Sequence, residues 1–284
     1  MMSMTRRQSH DAGVRAAPQG AEARWSPIML VGALSGLVDP LIGLYAEITS
    51  IFWNPKLPPR ADTPRRRSRG LTLVLGGIEG PSPYNRAMAC AVLESGYRGA
   101  VRRIDWNGGL PLIRSLINLM SKRHQKRWAA EVARQIVEQK RAHPDAPVCL
   151  LSQSGGTFIV VKALELLPDD VKACTAVLLA PSISPAYDIS IAASKCSEGL
   201  VSVGGPGDYM FLGIGTSLLG SSDRVFGPAA GWVGWHHHGR PDFIELRWHP
   251  SWLAHGYLGN HTTTSSVKFL SRVIAPRFQT RKAL

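Results

Sequence analysis

The chain has few cysteines, no long unbroken apolar run and too few acidic residues to balance its basic ones, and each shortage removes a class of protein. Its four cysteines, Cys90, Cys149, Cys174 and Cys196, stand far apart and mostly among apolar neighbours. That excludes a disulfide framework and a cysteine-based zinc motif, and leaves buried free thiols suited to a reducing compartment. The apolar stretches 28–38 and 41–52 are separated by Asp39 and Pro40. Neither reaches the about 18 clean residues a membrane-spanning helix requires. Twenty Asp and Glu face thirty-three Lys and Arg, a formal charge of +13, which favours polyanionic surroundings. No base-stacking module or phosphate-cradling loop accompanies that charge. Solvated basic surface is therefore expected rather than specific nucleic-acid recognition, and an anionic membrane surface stays open as a partner.

What remains is ordinary for a folded protein: 44% apolar and 19% charged residues over 284 positions, enough for one sizeable α/β domain with an appended segment. Residues 1–24 are polar and basic without a hydrophobic period, so disorder is expected there. Residues 25–56 form an apolar segment open to three readings: an export signal behind a basic lead-in, an interfacial helical hairpin broken at Pro40, or an arm packed on the domain. No cleavage site is recognisable, and membrane association or export is favoured over a cytoplasmic location. Residues 57–69, rich in Pro and carrying Arg65, Arg66 and Arg67, read as a linker. The main domain is expected over 70–284.

Within it, strands are expected at 71–75, 101–106, near 173–180, at 199–203 and at 242–248. Helices are expected at 83–94, 126–141, near 186–197 and at 264–274. Trp128, Val132 and Ile136 recur four apart, one face of an amphipathic helix. The segment 108–120 is unusually apolar, a lid, an acyl-binding wall or a core helix. Alternation of strands and helices predicts a mostly parallel central sheet with helices on both faces.

The chain centres on residues 148–167, VCLLSQSGGTFIVVKALELL. Four apolar residues, a turn through Ser152, Gln153, Ser154, Gly155 and Gly156, and a second apolar run predict strand, sharp turn and helix, with Ser154 at the tip. The turn follows the G-x-S-x-G nucleophile pattern with Ser152 in place of the leading Gly. A serine hydroxyl needs a base to take its proton as it attacks, and the base needs an orienting carboxylate. Asp208 follows a strand and the flexible turn Gly204, Gly205 and Gly207. Asp188, at an expected helix start, and Asp223, in SSDR, are weaker candidates for the acid. For the base, His261 stands in GNH immediately before a helix, His255 is second, and His249 lies at the edge of the last strand. The triplet His236, His237 and His238 reads as a surface loop, since adjacent residues on a regular backbone cannot all reach one ion. Oxyanion donors are expected from the backbone of Gly155 and from Gly77 or Ile78 in LVLGGIEG.

From about residue 70 to the C-terminus, about three quarters of the chain, the sequence resembles a bacterial α/β-hydrolase of the lipase and esterase type. SQSGG matches the nucleophile elbow, GGIEG the oxyanion loop, GPGD the acid turn and GNH the histidine loop. The sequence departs from that pattern at Ser152 and in the long stretch between Asp208 and His261. The resemblance implies the α/β-hydrolase fold, a Ser154–Asp208–His261 triad, no cofactor, and a small-molecule or lipid ester as substrate. A non-catalytic protein of the same fold, binding an apolar ligand or partner, is the alternative, and acyl transfer to an alcohol or amine would use the same residues.

Overall fold

Two apolar helices, α1 (Pro27–Ser35) and α2 (Asp39–Phe52), open the part of the chain described by the computed structural model, residues 27–52, 56–80, 82–106, 113–236 and 239–278. The stretch 1–24 lies outside these residues. α1 ends in a turn closed by Leu37 N–H donating to Leu34 O (3.1 Å) and Asp39 N–H donating to Gly36 O (3.3 Å). The break thus precedes Pro40, which occupies the first turn of α2, where a missing N–H costs no helical bond. The hairpin is seated on the domain through its polar residues: Asp39 is fully buried and Ser35 Oγ donates to Leu258 O (3.2 Å). Leu37, Leu41 and Tyr45 face outward. Among the described residues, no helix is long and apolar enough to cross a membrane.

Residues 57–69, expected as a linker, fold onto the domain where they are described. A single helical turn, Pro64–Arg67, begins at Thr63, whose hydroxyl accepts Arg66 N–H. The Arg66 guanidinium donates to Gly99 O and Tyr97 O, both at 2.8 Å. Asp62 bridges Arg67 (2.5 Å) and Arg102 (2.8 Å). The basic run that reads as solvated tether is held by carbonyls and a carboxylate that composition does not reveal.

The chain then alternates: β1 (Leu71–Leu75), α3 (Pro83–Glu94), β2 (Ala100–Ile104), α4 (Ile113–Met120), α5 (Lys122–Ala142), β3 (Val148–Gln153), α6 (Gly155–Glu165), β4 (Thr175–Leu179), α7 (Ser190–Ser194), β5 (Leu200–Gly204) and β6 (Phe243–Arg247). The caps explain two starts: Ser82 accepts Asn85 N–H ahead of α3, and Ser121 accepts His124 N–H ahead of α5. All six strands are parallel, in the order β2-β1-β3-β4-β5-β6. This is the α/β-hydrolase arrangement, with every strand parallel where a mostly parallel sheet is expected.

Alternate residues of each strand feed opposite layers. Leu71, Leu73 and Leu75 of β1 and Val148 and Leu150 of β3 join Val132 and Ile136 of α5 and Ile159 and Val160 of α6. Val74, Cys149 and Leu151 meet Met88 and Val92 of α3 together with Phe269 and Ile274 near the C-terminus. Each fully buried aliphatic side chain stabilises by about 1.5–3 kcal/mol, so a sheet covered on both faces is a rigid platform for the loops at its ends.

Two helices differ from expectation. The one expected near 186–197 is only α7, preceded by Asp188, whose carboxylate accepts Ser190 N–H (2.9 Å). The one expected at 264–274 is a succession of short turns: Thr262–Ser265, Val267–Phe269, the wider Leu270–Ile274 and Ala275–Phe278. Apolar spacing sets which residues face inward but not how tightly the backbone winds.

Candidate active site

The sheet reverses its building direction at β1: β2 is added on one side, β3 and the later strands on the other. The loops leaving the C-terminal ends of β1 and β3 therefore diverge and open a crevice, the usual ligand position in open parallel sheets. Ser154 stands at its floor, between β3 and α6, with φ 52° and ψ −128°. A positive φ on a non-glycine residue costs of order 1–3 kcal/mol and persists where the surroundings impose it. Here they do: Ser154 N–H donates to Leu179 O (3.0 Å) and Ser154 O accepts Thr157 N–H (3.0 Å). Gly156 allows the elbow to touch the β1 loop, since a Cβ there would lie 2.3 Å from Gly76 O. Ser152, in place of the pattern's leading Gly, is fully buried and donates its hydroxyl to Val177 O (3.3 Å). The larger side chain is thereby satisfied inside the sheet.

The β1 loop brings Gly77 and Ile78 beside the serine: a Cβ on Gly77 would lie 3.2 Å from Ser154 Cβ, and one on Gly155 would lie 2.6 Å from Ile78 Cγ2. Ile78 O accepts from Asn118 Nδ2 (2.9 Å) and Ser115 Oγ (3.3 Å) of α4, and Trp106 Nε1 donates to Gly76 O (2.9 Å). These bonds turn the loop's carbonyls away toward α4 and Trp106. Gly155 opens α6, whose N-terminal end favours negative charge. Of the apolar segment 108–120, residues 108–112 lie outside the described residues, and α4 borders the crevice through Ser115.

Asp208 and His261 come together across 53 residues. His261 Nδ1 lies 2.9 Å from Asp208 Oδ1 and 2.8 Å from Oδ2. Asp208 is buried, and burial pushes its carboxyl up to about 6 despite the opposing pull of the imidazole. Burial alone would lower the His261 imidazole, but the carboxylate of Asp208, aided by Asp39 and Glu79, outweighs it and raises the imidazole to about 9. The pair is therefore an ion pair between those values, and imidazole beside carboxylate above them.

The other candidates lie apart from the Asp208–His261 pair, and the buried His255 Nδ1 has no hydrogen-bond partner among the described residues. Asp223 accepts Ser184 N–H (2.9 Å) and Ser221 Oγ (2.6 Å), shaping its own turn. His249 Nδ1 lies 2.8 Å from Ser251 Oγ at the surface. His255 closes the short helix Pro250–His255, and its carbonyl accepts Ser266 Oγ (2.9 Å). His236 N–H donates to Pro185 O (2.9 Å), whereas His237 and His238 lie outside the described residues. Among those residues, no group of three or more His, Cys, Asp or Glu side chains is placed to hold a metal ion.

Ser154 and His261 open on one cavity of about 300 Å³, lined also by Leu44, Ile78, Glu79, Tyr84, Gln153 and Phe211. The Phe211 ring lies 4.9 Å from the imidazole, centroid to centroid. Sequence reasoning does not find Gln153, Glu79 or the hairpin's Leu44 as neighbours of the site. Gln153 adjoins the nucleophile in the motif, a signal that could have drawn attention to it, whereas no local pattern marks the other two.

No family model and no curated protein matches the chain. Among solved structures it is similar to a hydrolase of the alpha/beta superfamily from Xanthomonas campestris pv. campestris, at 18% identity over 74% of this chain and 99% of that one, with a TM-score of 0.41. It is also similar to a cutinase-like protein from Cryptococcus sp. (14% identity, 76% and 95% covered, TM-score 0.37) and to carboxyl esterase 2 from Tuber melanosporum (13% identity, 74% and 78% covered, TM-score 0.36). At these scores the fold assignment rests on the chain's own strand order and connections.

Proposed function

We propose that the protein is a serine hydrolase that cleaves carboxylic esters through an acyl-enzyme on Ser154. The observation that carries this reading is the strained Ser154 and the Asp208-held His261 opening on one cavity with largely apolar lining. Neutral His261 accepts the Ser154 proton through Nε2 as the hydroxyl oxygen attacks the ester carbonyl. Asp208 keeps the other ring nitrogen protonated and stabilises the imidazolium. The carbonyl oxygen, gaining charge, is met by the N–H of Gly155 and a backbone N–H of Gly77 or Ile78, with the α6 N-terminus behind them. The imidazolium then protonates the leaving alkoxide, and water, activated by the same histidine, releases the acid. The apolar walls suit the acyl or alkyl portion of a small or lipid ester.

Labelling with a fluorophosphonate and measuring intact mass tests the reading, because the probe reports an activated serine without requiring the natural substrate. One adduct, mapped to Ser154 and lost in Ser154→Ala, is the expected result. Turnover of a short-chain aryl ester should fall on the order of 10⁴-fold in that variant with the fold intact. An unlabelled wild-type chain would overturn the reading in favour of a non-catalytic binding protein.

A further inference from the structure

Asp39 is a fully buried carboxylate to which the proposed chemistry assigns no part. It stands at the start of α2, yet its carboxylate is hydrogen-bonded to the histidine loop. Asp39 Oδ2 accepts the backbone N–H of His261 at 2.7 Å, and Oδ1 accepts Thr262 Oγ1 at 2.6 Å and Thr262 N–H at 3.3 Å. Both oxygens act as acceptors, the role of an ionised carboxylate. Further bonds tie the same two segments: Asn260 Nδ2 donates to Ser35 O (3.1 Å) and Ser35 Oγ to Leu258 O (3.2 Å).

The hairpin also meets the acid's turn. A Cβ on Gly36 would lie 2.1 Å from Gly207 O, and one on Gly207 would lie 2.2 Å from Gly32 O. Asp208 is the next residue along. Gly43 and Leu44 of α2 line the cavity itself. The N-terminal hairpin therefore touches the base loop, the acid turn and the substrate space.

We infer that Asp39 is a positioning residue for His261, and that the N-terminal hairpin is a working part of the active site. This inference rests on the hydrolase reading and adds to it a residue from outside the expected domain. The mechanism is direct. By accepting the His261 and Thr262 N–H groups, Asp39 fixes the backbone from which the imidazole projects, so the ring can meet Asp208 and Ser154 together. Its charge also favours the imidazolium formed during attack. The other titratable groups around this cluster are Asp208 on the turn after β5, Glu79 on the β1 loop, Tyr84 on α3 and Tyr257 ahead of the histidine loop. The carboxyl of Asp39 is itself raised by burial, against which the imidazolium, Thr262 Oγ1 and the two N–H groups hold the charged form.

The test compares the full chain with Asp39→Asn, which keeps the shape but replaces an acceptor by a donor, and with Thr262→Val, which removes one donor to the carboxylate. Two quantities are measured: the His261 titration midpoint by NMR, assigned by its loss in His261→Gln, and the pH profile of kcat and KM on p-nitrophenyl butyrate. In Asp39→Asn the midpoint should fall by roughly 0.5–1 pH unit. At the plateau, kcat should drop on the order of 10-fold with KM within about twofold. Thr262→Val should move both in the same direction by less. An unmoved midpoint overturns the inference, as does an unmoved kcat; if Asp39→Asn does not fold, Thr262→Val decides by the same criteria. A wild-type chain that takes no fluorophosphonate adduct at Ser154 overturns the hydrolase reading instead, and the NMR midpoint then decides the role of Asp39 without turnover.

Discussion

Gln153 holds the histidine loop from below: its Nε2 donates to His261 O at 3.0 Å and to Thr264 Oγ1 at 3.1 Å. The residue before the proposed nucleophile thus anchors the segment carrying the proposed base, across 108 residues of sequence. Since β3 is a central strand, this bond refers the imidazole's position to the most rigid part of the sheet. Replacing Gln153 by Ala removes both tethers. Chemical denaturation should show a loss of about 1–3 kcal/mol, and kcat should fall on the order of 10-fold with KM little changed, because a displaced base weakens the attack more than substrate binding.

Activity should rise toward alkaline pH. The attacking serine needs neutral imidazole, and the carboxylates around His261 raise its ionisation to about 9. The rate therefore grows as pH climbs through that value, rather than through the ordinary histidine range near 6.5. In Asp208→Asn the main charge favouring the imidazolium is gone, so the midpoint should move down while the plateau falls on the order of 10³–10⁴-fold. Initial rates on an aryl ester between pH 5 and 10 check both; a wild-type midpoint at or below the ordinary value would contradict the arrangement.

Ser154 trades stability for a place on the cavity wall. Its φ of 52° is strained for any side chain bearing a Cβ, and the side chain makes no capping bond to α6. Ser154→Gly removes the Cβ penalty at a position where glycine is at ease. The variant should be more stable by about 0.5–1.5 kcal/mol despite glycine's greater unfolded freedom, while taking no fluorophosphonate adduct. Thermal unfolding of wild type, Ser154→Gly and Ser154→Ala separates strain from chemistry: the alanine variant keeps the Cβ and should show no comparable gain.

Much of the domain is legible in the sequence because its signals are local. Strand, turn and helix over 148–167 follow from apolar runs around small residues, and Val132 and Ile136 fall fully buried on α5 as their spacing predicts. Asp208 and His261 can be singled out because each follows a strand at a turn, and the structure brings them within hydrogen-bonding distance. Winding is less legible, as the short turns over 262–278 show, since burial of Phe269, Leu270 and Ile274 is compatible with more than one helical pitch.

By itself, the sequence determined the periodicity of the domain, the serine turn and the residue types able to carry its chemistry, since each depends on neighbours within a few positions. Only the tertiary structure decided how the apolar segment 25–56 packs where it is described. Its hydrophobicity suits an export signal, a membrane hairpin or a packed arm. Its packing on the histidine loop runs through Asp39, whose burial becomes tolerable only when the N–H groups of His261 and Thr262, more than two hundred residues away, arrive to satisfy it.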